Sequence, residues 1–321
     1  MRDPMSRDPV IRDVARSIAK SRAQSRGSSS NEYALFFIGD ESVGKSSLIL
    51  QFFDKNEVPK PTLALEYVFF RKSSKSLVKD VFHVWELGGG ISSTPMISVL
   101  SNLKVNSLMI VLMLDLSSLK SLWNTLEACL RAAKTAVLEN KFVSKLEAPH
   151  FERENGQEPF PVPLVIIGGK YDKFQSLEPQ KKRIVCQCLR FVAHLNGASI
   201  IFSSSNDASL TKKTKEFLIN PKSTVHNKVV NLDHNKPLFI PAGTDSFANI
   251  EQRTEVNGHG SFEKYKQMFT SQFEQETALV AKVPDDPALD SNFKEPAIDS
   301  LRQRKDEELE FIRHEKKGRR T

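Results

Sequence analysis

A short loop at residues 39–46 has the residue types and spacing of a phosphate-binding loop. The segment GDESVGKS matches Gly-x-x-x-x-Gly-Lys-Ser, with Gly39, Gly44, Lys45 and Ser46 at the fixed positions. An apolar run, ALFFI, precedes the loop and an amphipathic run, SSLILQFF, follows it, as the motif requires. In such loops backbone N–H groups and the start of the following helix bind phosphate. Lys45 would contact the β- and γ-phosphates, and Ser46 would ligate Mg²⁺.

The pattern predicts a nucleotide site built mainly from this loop, with two further residues from a segment near residue 170. A strand–turn–helix connection that binds nothing is the alternative. The expected ligand is GDP or GTP with Mg²⁺, and a nucleotide-free site is the other state that the sequence allows. The predicted nucleotide-binding residues are Gly39, Asp40, Glu41, Ser42, Val43, Gly44, Lys45, Ser46, Ser47, Lys170 and Asp172.

Hydrolysis needs additional groups, and the segment WELGGG at residues 85–90 supplies them incompletely. Small GTPases carry Asp-x-x-Gly-Gln here, where the Asp supports Mg²⁺ and the Gln orients the attacking water. Glu86 replaces the Asp with a longer side chain, and Gly90 replaces the Gln with none. Thr62, in PKPTLALEY, is the candidate switch residue, but two flanking prolines predict a stiff loop. The predicted Mg²⁺ ligands are Ser46, Thr62 and Glu86, and only with nucleotide bound.

Base selection is predicted from GKYD at residues 169–172, where guanine-selective domains carry Asn-Lys-x-Asp. Asp172 would accept from the guanine N1–H and amino group, and Lys170 would pack on the ring. The bracing Asn is replaced by Gly169, so guanine preference is expected to be weakened. The sequence therefore predicts a degenerate G-domain that is not an enzyme. A slow GTPase acting as a GTP-dependent switch is one alternative, and a P-loop kinase or ATPase is another.

The elements around these motifs alternate between strand and helix, which predicts an α/β fold with a mostly parallel sheet. The prediction is a Ras-like P-loop G-domain with six strands, flanking helices and one antiparallel edge pair. Strands are predicted at Leu35–Ile38, Leu63–Phe70, Val81–Leu87, Ser107–Leu114, Val162–Ile167 and Ser199–Phe202. Helices are predicted at Ser46–Phe53, Thr94–Leu103, Leu119–Leu138, Glu178–Leu195 and Ser209–Leu218.

Three regions are predicted along the chain. Residues 1–31 form a basic amphipathic segment and a flexible linker, and residues 32–250 form the Ras-like domain with an insertion at 139–161. Residues 251–321 form a polar linker and a charged C-terminal helix. Each terminal helix packs on its own domain or docks on a partner subunit. Their apolar faces carry Val10, Ile11, Val14 and Ile18 at one end of the chain and Ile298, Leu301, Leu309 and Ile312 at the other.

Composition excludes several functional classes. The chain is 39% apolar and 26% charged, which is ordinary for a globular protein, and no apolar run is long enough for membrane insertion. The net charge of +7 comes without a basic block interleaved with aromatic residues, so no nucleic-acid partner is expected. Three cysteines without a disulfide framework indicate a reducing, cytosolic setting.

Longer strings in this sequence resemble the dynein light intermediate chains, and most closely the cytoplasmic dynein-2 branch of that family. The resemblance runs in order from Leu35 to Phe247 and continues weakly into the C-terminal helix. It implies that the Ras-like domain is a non-catalytic scaffold bound to the tail of the dynein-2 heavy chain, which contains the motor. The strings are PKPTLALEY, WELGGG, PFPVPLVIIGGKYDKFQ, LRFVAHLNGAS and NKPLFIPAGTDSF.

The resemblance also implies a cellular role in retrograde intraflagellar transport and cilium assembly. The implied partners are the dynein-2 heavy chain and other dynein-2 and intraflagellar transport subunits, with microtubules reached only through the heavy chain. The implied locations are the cytoplasm, the cytoskeleton and the cilium or flagellum, including axoneme and basal body. Because the sequence ends at Thr321 shortly after one helix, adaptor capture by a long C-terminal tail, as in dynein-1 members, is not expected.

Overall fold

The structure is a computed structural model that divides into two compact units. The first unit ends at Thr277, and the second spans Ala278–Thr321. The N-terminal amphipathic segment and most of the predicted insertion at 139–161 lie outside the described residues. The residues that the structure describes are 31–55, 57–72, 80–102, 107–140, 159–221, 230–251, 261–276 and 295–318.

A seven-stranded sheet forms the centre of the first unit, in the order β2-β3-β1-β4-β5-β6-β7. Strands β3, β1, β4, β5 and β6 are parallel, whereas β2 pairs antiparallel with β3 and β7 pairs antiparallel with β6. The strands are β1 Asn31–Gly39, β2 Leu65–Lys72, β3 Asp80–Leu87, β4 Leu108–Asp115, β5 Leu164–Gly169, β6 Ser199–Phe202 and β7 Phe239–Ile240.

The predicted α/β class, parallel core and antiparallel edge pair are confirmed, but the predicted number of six strands is wrong. The additional strand, β7, contains only Phe239 and Ile240 and lies between Pro237 and Pro241. Proline is depleted in strands because it cannot donate to the sheet, and two residues are too few to show periodicity. The sequence therefore predicts no strand where the structure has a short edge strand.

Helices cover both faces of this sheet. The predicted helix at Thr94–Leu103 corresponds to a 3₁₀-helix at Gly90–Asn102, which contains Pro95 and so lacks one donor. In the described ranges, every helix is too short or too polar to cross a bilayer. The α-helices are α1 Lys45–Phe52, α2 Leu119–Glu139, α3 Tyr171–Phe174, α4 Pro179–Leu195, α5 Ala208–Ile219, α6 Phe247–Glu251, α7 Phe262–Gln272 and α8 Pro296–Gly318.

The central strands are apolar on both faces because each face packs against helices. On one face, Phe36 belongs to the cluster that contains Trp123 of α2 and Phe191 of α4. On the other face, Phe37 packs in the cluster of Phe52 from α1 and residues of α5. All eight residues of β4 are buried. This two-sided burial accounts for the continuous apolar runs in the sequence and fixes the ends of the strands that carry the site.

Helix α7 packs into the core of the first unit through aromatic side chains. The ring of Tyr265 stacks on Phe191 with centroids 3.9 Å apart, and the ring of Phe269 lies 5.3 Å from Trp123. Gln275, just beyond α7, accepts a hydrogen bond from the backbone N–H of Trp123 at 3.0 Å. Residues 261–276 are therefore part of the folded unit.

These contacts correct the predicted domain boundary at residue 250, because the compact unit continues to Thr277. A buried ion pair holds the preceding segment in place: Arg190 of α4 donates two 2.8 Å hydrogen bonds to the carboxylate of Asp245. The sequence suggested an earlier boundary because polar residues follow residue 250 and the apolar face of α7 is short.

The second unit contains α8, a helix of 23 residues. Its charged side chains include an ion pair between Lys305 and Glu308 at 2.6 Å. The four apolar side chains that the helical spacing placed on one face are all exposed: Ile298, Leu301, Leu309 and Ile312. An exposed apolar face of this kind is typical of a helix that binds a partner.

Truncation of Phe269 to alanine is expected to lower the free energy of unfolding by about 3–5 kcal/mol, because it removes a fully buried aromatic side chain. Urea unfolding of the full chain measures this loss. Gln267→Ala, on the exposed side of the same helix, is the matched control and should stay close to wild type. Equal stability of the two variants would show that α7 does not belong to the core.

Candidate nucleotide-binding site

The phosphate loop lies between β1 and α1, at the edge of the sheet where its parallel strands end. Ligands of open α/β sheets bind at this edge. Lys45, the first residue of α1, is buried and donates to the backbone carbonyls of Asp40 at 2.6 Å and Gly39 at 3.3 Å. Burial lowers the pKa of the Lys45 ammonium, although the nearby Glu86 carboxylate opposes that shift. The loop therefore holds a desolvated positive charge next to its own carbonyl oxygens.

The three predicted metal ligands come together beside this loop. Ser46 donates from Oγ to Oε1 of Glu86 at 2.6 Å, and its Oγ lies 3.5 Å from Oγ1 of Thr62. Burial raises the pKa of the Glu86 carboxyl, although the hydrogen bond from Ser46 and the charge of Lys45 oppose that shift. Two hydroxyls and a carboxylate are hard oxygen donors, which suit Mg²⁺.

These residues fit a nucleotide with Mg²⁺ in the chemistry of their donors. A cavity of about 310 Å³ is lined by the phosphate loop, by residues 59–62 and by residues 86–89. Across the described part of the chain, no three His, Cys, Asp or Glu side chains gather where they could hold a metal. Phosphate oxygens and water would complete the coordination of a Mg²⁺ ion held by these oxygen donors.

The loop that carries Thr62 is fixed by its contact with the segment after β3. The backbone N–H of Gly88 donates to the carbonyl of Ala64 at 2.6 Å. A β-carbon at Gly88 would collide with the carbonyl oxygen of Thr62, so only glycine permits this approach. This close contact, which the sequence did not reveal, is a second reason to expect a stiff loop.

Gly90 is the residue that the sequence predicts in place of the glutamine that orients water in small GTPases. Its φ is +57°, in the left-handed region, and a β-carbon there would lie 3.2 Å from the backbone nitrogen of Glu41. The glycine is thus packed against the phosphate loop. A glutamine at this position would require a strained backbone and a shift of its neighbour.

Asp172, the predicted acceptor for guanine, lies in α3 beyond the end of β5. Its Oδ1 accepts from Ser204 Oγ at 2.6 Å, and its Oδ2 accepts from Asn206 Nδ2 at 3.1 Å. The hydrogen bond from Ser204 lowers the pKa of the Asp172 carboxyl. Neither Ser204 nor Asn206 was predicted from the sequence as a partner of Asp172.

Lys170, the second predicted base-side residue, forms an ion pair with Asp115 at the end of β4, with Nζ to Oδ2 at 2.6 Å. The other carboxylate oxygen of Asp115 accepts from the backbone N–H and the hydroxyl of Ser117 at 2.8 and 2.6 Å. The lysine is thus held at the edge of the sheet that carries the phosphate loop. An acidic residue at the end of a buried strand was the only sequence signal for this pairing.

A phosphate loop after the first strand of a mostly parallel sheet, with Ser, Thr and Glu oxygens beside it, defines a P-loop domain of the Ras-like class. The chain belongs to the dynein light intermediate chain family, as the motif resemblance indicated. It is 37% identical over 312 residues to cytoplasmic dynein 2 light intermediate chain 1 of Danio rerio, covering 89% of this chain and 86% of that protein. Identity to the Homo sapiens protein of that name is 37% over 310 residues, covering 88% of each chain.

Two further comparisons bear on the fold. Septum-promoting GTP-binding protein 1 of Schizosaccharomyces pombe is 25% identical over 177 residues, covering 55% of this chain and 76% of that protein. The crystal structure of the conserved domain of a dynein light intermediate chain superposes with a TM-score of 0.55 at 15% identity, covering 78% of this chain and 94% of that one. At this identity the structural likeness shows the fold alone. No protein-family profile matches the chain.

Replacement of Glu86 by glutamine is expected to raise the melting temperature of the nucleotide-free protein at neutral pH. Because burial raises the pKa of Glu86, the folded state binds a proton that the unfolded chain, with a pKa of about 4.3, has released. The free energy of unfolding therefore falls as the pH rises from about 4.3 towards the higher pKa of Glu86 in the folded state. Glutamine does not ionise and avoids this loss.

Thermal unfolding of the wild type and of Glu86→Gln at a series of pH values tests this expectation. The two curves should converge at acidic pH and separate as pH rises. Glu139→Gln, which removes an exposed carboxylate at the end of α2, should follow the wild type throughout. A Glu86→Gln variant that melts below the wild type at neutral pH would contradict the assignment.

Proposed function

We propose that this chain is a non-catalytic scaffold subunit of the cytoplasmic dynein-2 motor complex. In this role it binds the heavy-chain tail, associates with other dynein-2 and intraflagellar transport subunits, and reaches microtubules only through the heavy chain. It supports retrograde intraflagellar transport and cilium assembly, and it acts in the cytoplasm and in the cilium. The observation that carries the proposal is the 37% identity to cytoplasmic dynein 2 light intermediate chains over nearly nine-tenths of this chain.

The geometry of the site supports a role without catalysis. Gly90 offers no side chain to orient water, and its backbone packs against the phosphate loop. The Thr62 segment is held against Gly88, so this loop is not expected to move when the γ-phosphate is lost. Even an intact Ras site turns over at only about 10⁻⁴ s⁻¹ without an activator. Turnover here is expected to be slower still.

Bound nucleotide, in this proposal, is a structural ligand. GDP or GTP would contact the phosphate loop from Gly39 to Ser47 and, on the base side, Lys170 and Asp172. Mg²⁺, when present with the nucleotide, would be held by Ser46, Thr62 and Glu86. The phosphates would compensate the desolvated charge of Lys45, and the metal would compensate that of Glu86.

A GTP-dependent switch that controls motor assembly is the alternative function. The convergence of Ser46, Thr62 and Glu86 favours it, because a switch needs these groups near the γ-phosphate and the metal. The fixed Thr62 segment and the missing glutamine weigh against it. The two functions differ in whether partner binding depends on the nucleotide site.

The phosphate loop is expected to be dispensable for binding the heavy chain. A tagged Lys45→Ala, Ser46→Asn double variant, expressed in ciliated cells, should recover as much dynein-2 heavy chain as the tagged wild type. Loss of recovery by a variant that remains soluble and folded would support the switch. Failure of the wild type to recover any heavy chain would overturn the family-based proposal itself.

The apolar face of α8 is expected to contribute to heavy-chain binding, because its side chains are exposed within the described residues. Leu301→Asp should reduce heavy-chain recovery, since it places a charge in the centre of that face. Gln303→Asp adds the same charge on the opposite side of the helix and serves as the matched control. Equal recovery by both variants would show that this face does not contact the heavy chain.

Nucleotide is expected to stabilise the folded protein in proportion to its occupancy of the phosphate loop. At 100 times its dissociation constant, a ligand adds about 2.7 kcal/mol to the free energy of unfolding. The wild type should therefore melt at a higher temperature with GDP or GTP, and Lys45→Ala should not. Unchanged melting of the wild type with both nucleotides would remove the structural-ligand role.

A further inference from the structure

The outer edge of β2 is a second candidate binding surface, next to the nucleotide site. Strand β2 is the first strand of the sheet and pairs along its whole length with β3 on one side. No other described strand pairs with its outer side. An open strand edge offers unpaired backbone donors and acceptors to another chain, and natural proteins usually protect such edges with charges, prolines or bulges.

The centre of β2 lacks this protection. Tyr67, Val68 and Phe69 are consecutive and are 44%, 42% and 55% exposed. The charged residues of the strand, Glu66 and Arg71 among the described side chains, lie towards its ends. A hydrophobic centre on an open edge is a surface that another strand would cover.

Both faces beside this edge are built to receive side chains. On one face Tyr67 packs on Trp85, with centroids 4.6 Å apart, and Phe69 lies 6.4 Å from Tyr67. On the other face, a groove of about 630 Å³ is lined by Val68 at the edge of β2, by apolar residues of α1 and by Phe53, which directly follows that helix. An added strand would place alternate side chains on the aromatic face and at the mouth of this groove.

We propose that this edge binds the β2 edge of a second copy of the chain, antiparallel, so that the two sheets become continuous. A two-fold axis perpendicular to the sheet leaves each side chain on the same face of the continuous sheet. Because opposed side chains share a face and alternate residues face the same way, the residue numbers of two opposed residues must differ by an even number. With the axis at Phe69, Glu66 faces Lys72 of the second copy, and Tyr67 faces its Arg71. In the same register Val68 faces Phe70, and Phe69 faces its own counterpart.

This register matches each side chain with a suitable partner. It pairs an acid with a base, an aromatic ring with a guanidinium, and apolar residues with each other, all of which are favourable cross-strand pairs. The neighbouring allowed register, with the axis at Val68, instead places Glu66 against Phe70. The complementarity lies within the strand's own sequence, LEYVFFRK, which is why a second copy is the proposed occupant. Two-fold dimers are also the commonest homo-oligomers.

A disulfide across the two-fold axis tests the contact directly. Opposed residues in an antiparallel pair have Cα atoms about 4.5–5.5 Å apart, within the range that a disulfide spans. The native cysteines, Cys129, Cys186 and Cys188, are buried, so background oxidation should be low. Mild oxidation of the full-length Phe69→Cys variant should give a disulfide-linked dimer on a non-reducing gel. Leu138→Cys, an exposed position at the end of α2, is the control and should remain monomeric.

Exchange of charges tests the register. In sedimentation equilibrium the wild type should show a concentration-dependent dimer, Glu66→Lys should lose it, and Glu66→Lys combined with Lys72→Glu should regain it. Circular dichroism confirms that each variant is folded. Three outcomes would overturn the proposal: a monomeric wild type at all concentrations, equal crosslinking of Phe69→Cys and Leu138→Cys, or a double variant that stays monomeric. A monomeric wild type whose edge binds a strand of another protein would assign the surface to that protein.

Discussion

The close contact between Gly88 and Thr62 determines the arrangement of both the nucleotide-site cavity and the edge strand β2. Because Gly88 has no side chain, the loop before β2 lies directly against the segment after β3, and the Gly88–Ala64 hydrogen bond fixes the approach. The same contact brings the Thr62 hydroxyl to the Ser46–Glu86 pair and sets where β2 begins. One close backbone approach thus positions both the mouth of the cavity and the exposed strand edge.

The site brings together the side chains predicted to bind nucleotide and Mg²⁺, and the sequence has Gly90 where small GTPases carry a glutamine. Lys45 and Glu86 are buried; the loop's carbonyls accept hydrogen bonds from Lys45, and Ser46 donates one to Glu86. Burial lowers the pKa of Lys45 and raises that of Glu86, so it favours the neutral form of each. Phosphates and a metal ion would compensate both charges more fully. In the proposed function, nucleotide stabilises the fold and Gly90 cannot orient water, which suits a scaffold whose motor activity resides in another chain.

The sequence predicted the parallel core and the strand–loop–helix connection around residues 39–46 well, because both follow from strong patterns. Strand β4 is apolar at all but its last position, and Gly44, Lys45 and Ser46 have fixed spacing. Prediction from the sequence failed where an element depends on contacts between residues that are far apart in the chain. The two residues of β7 form a strand only because β6 lies beside them, and α7 joins the core only because Trp123 and Phe191 receive its aromatic side chains. The Lys170–Asp115 pair likewise joins residues 55 positions apart.

Hydrogen exchange of residues 57–64 tests the central claim that this loop is a fixed surface and not a switch. The full-length protein is compared with GDP and with a non-hydrolysable GTP analogue, and increased protection of residues 39–47 reports that each nucleotide is bound. The account predicts the same protection of residues 57–64 with either nucleotide, because Gly88 holds the loop in place. Protection that rises only with the GTP analogue would contradict the account and establish a nucleotide-dependent switch.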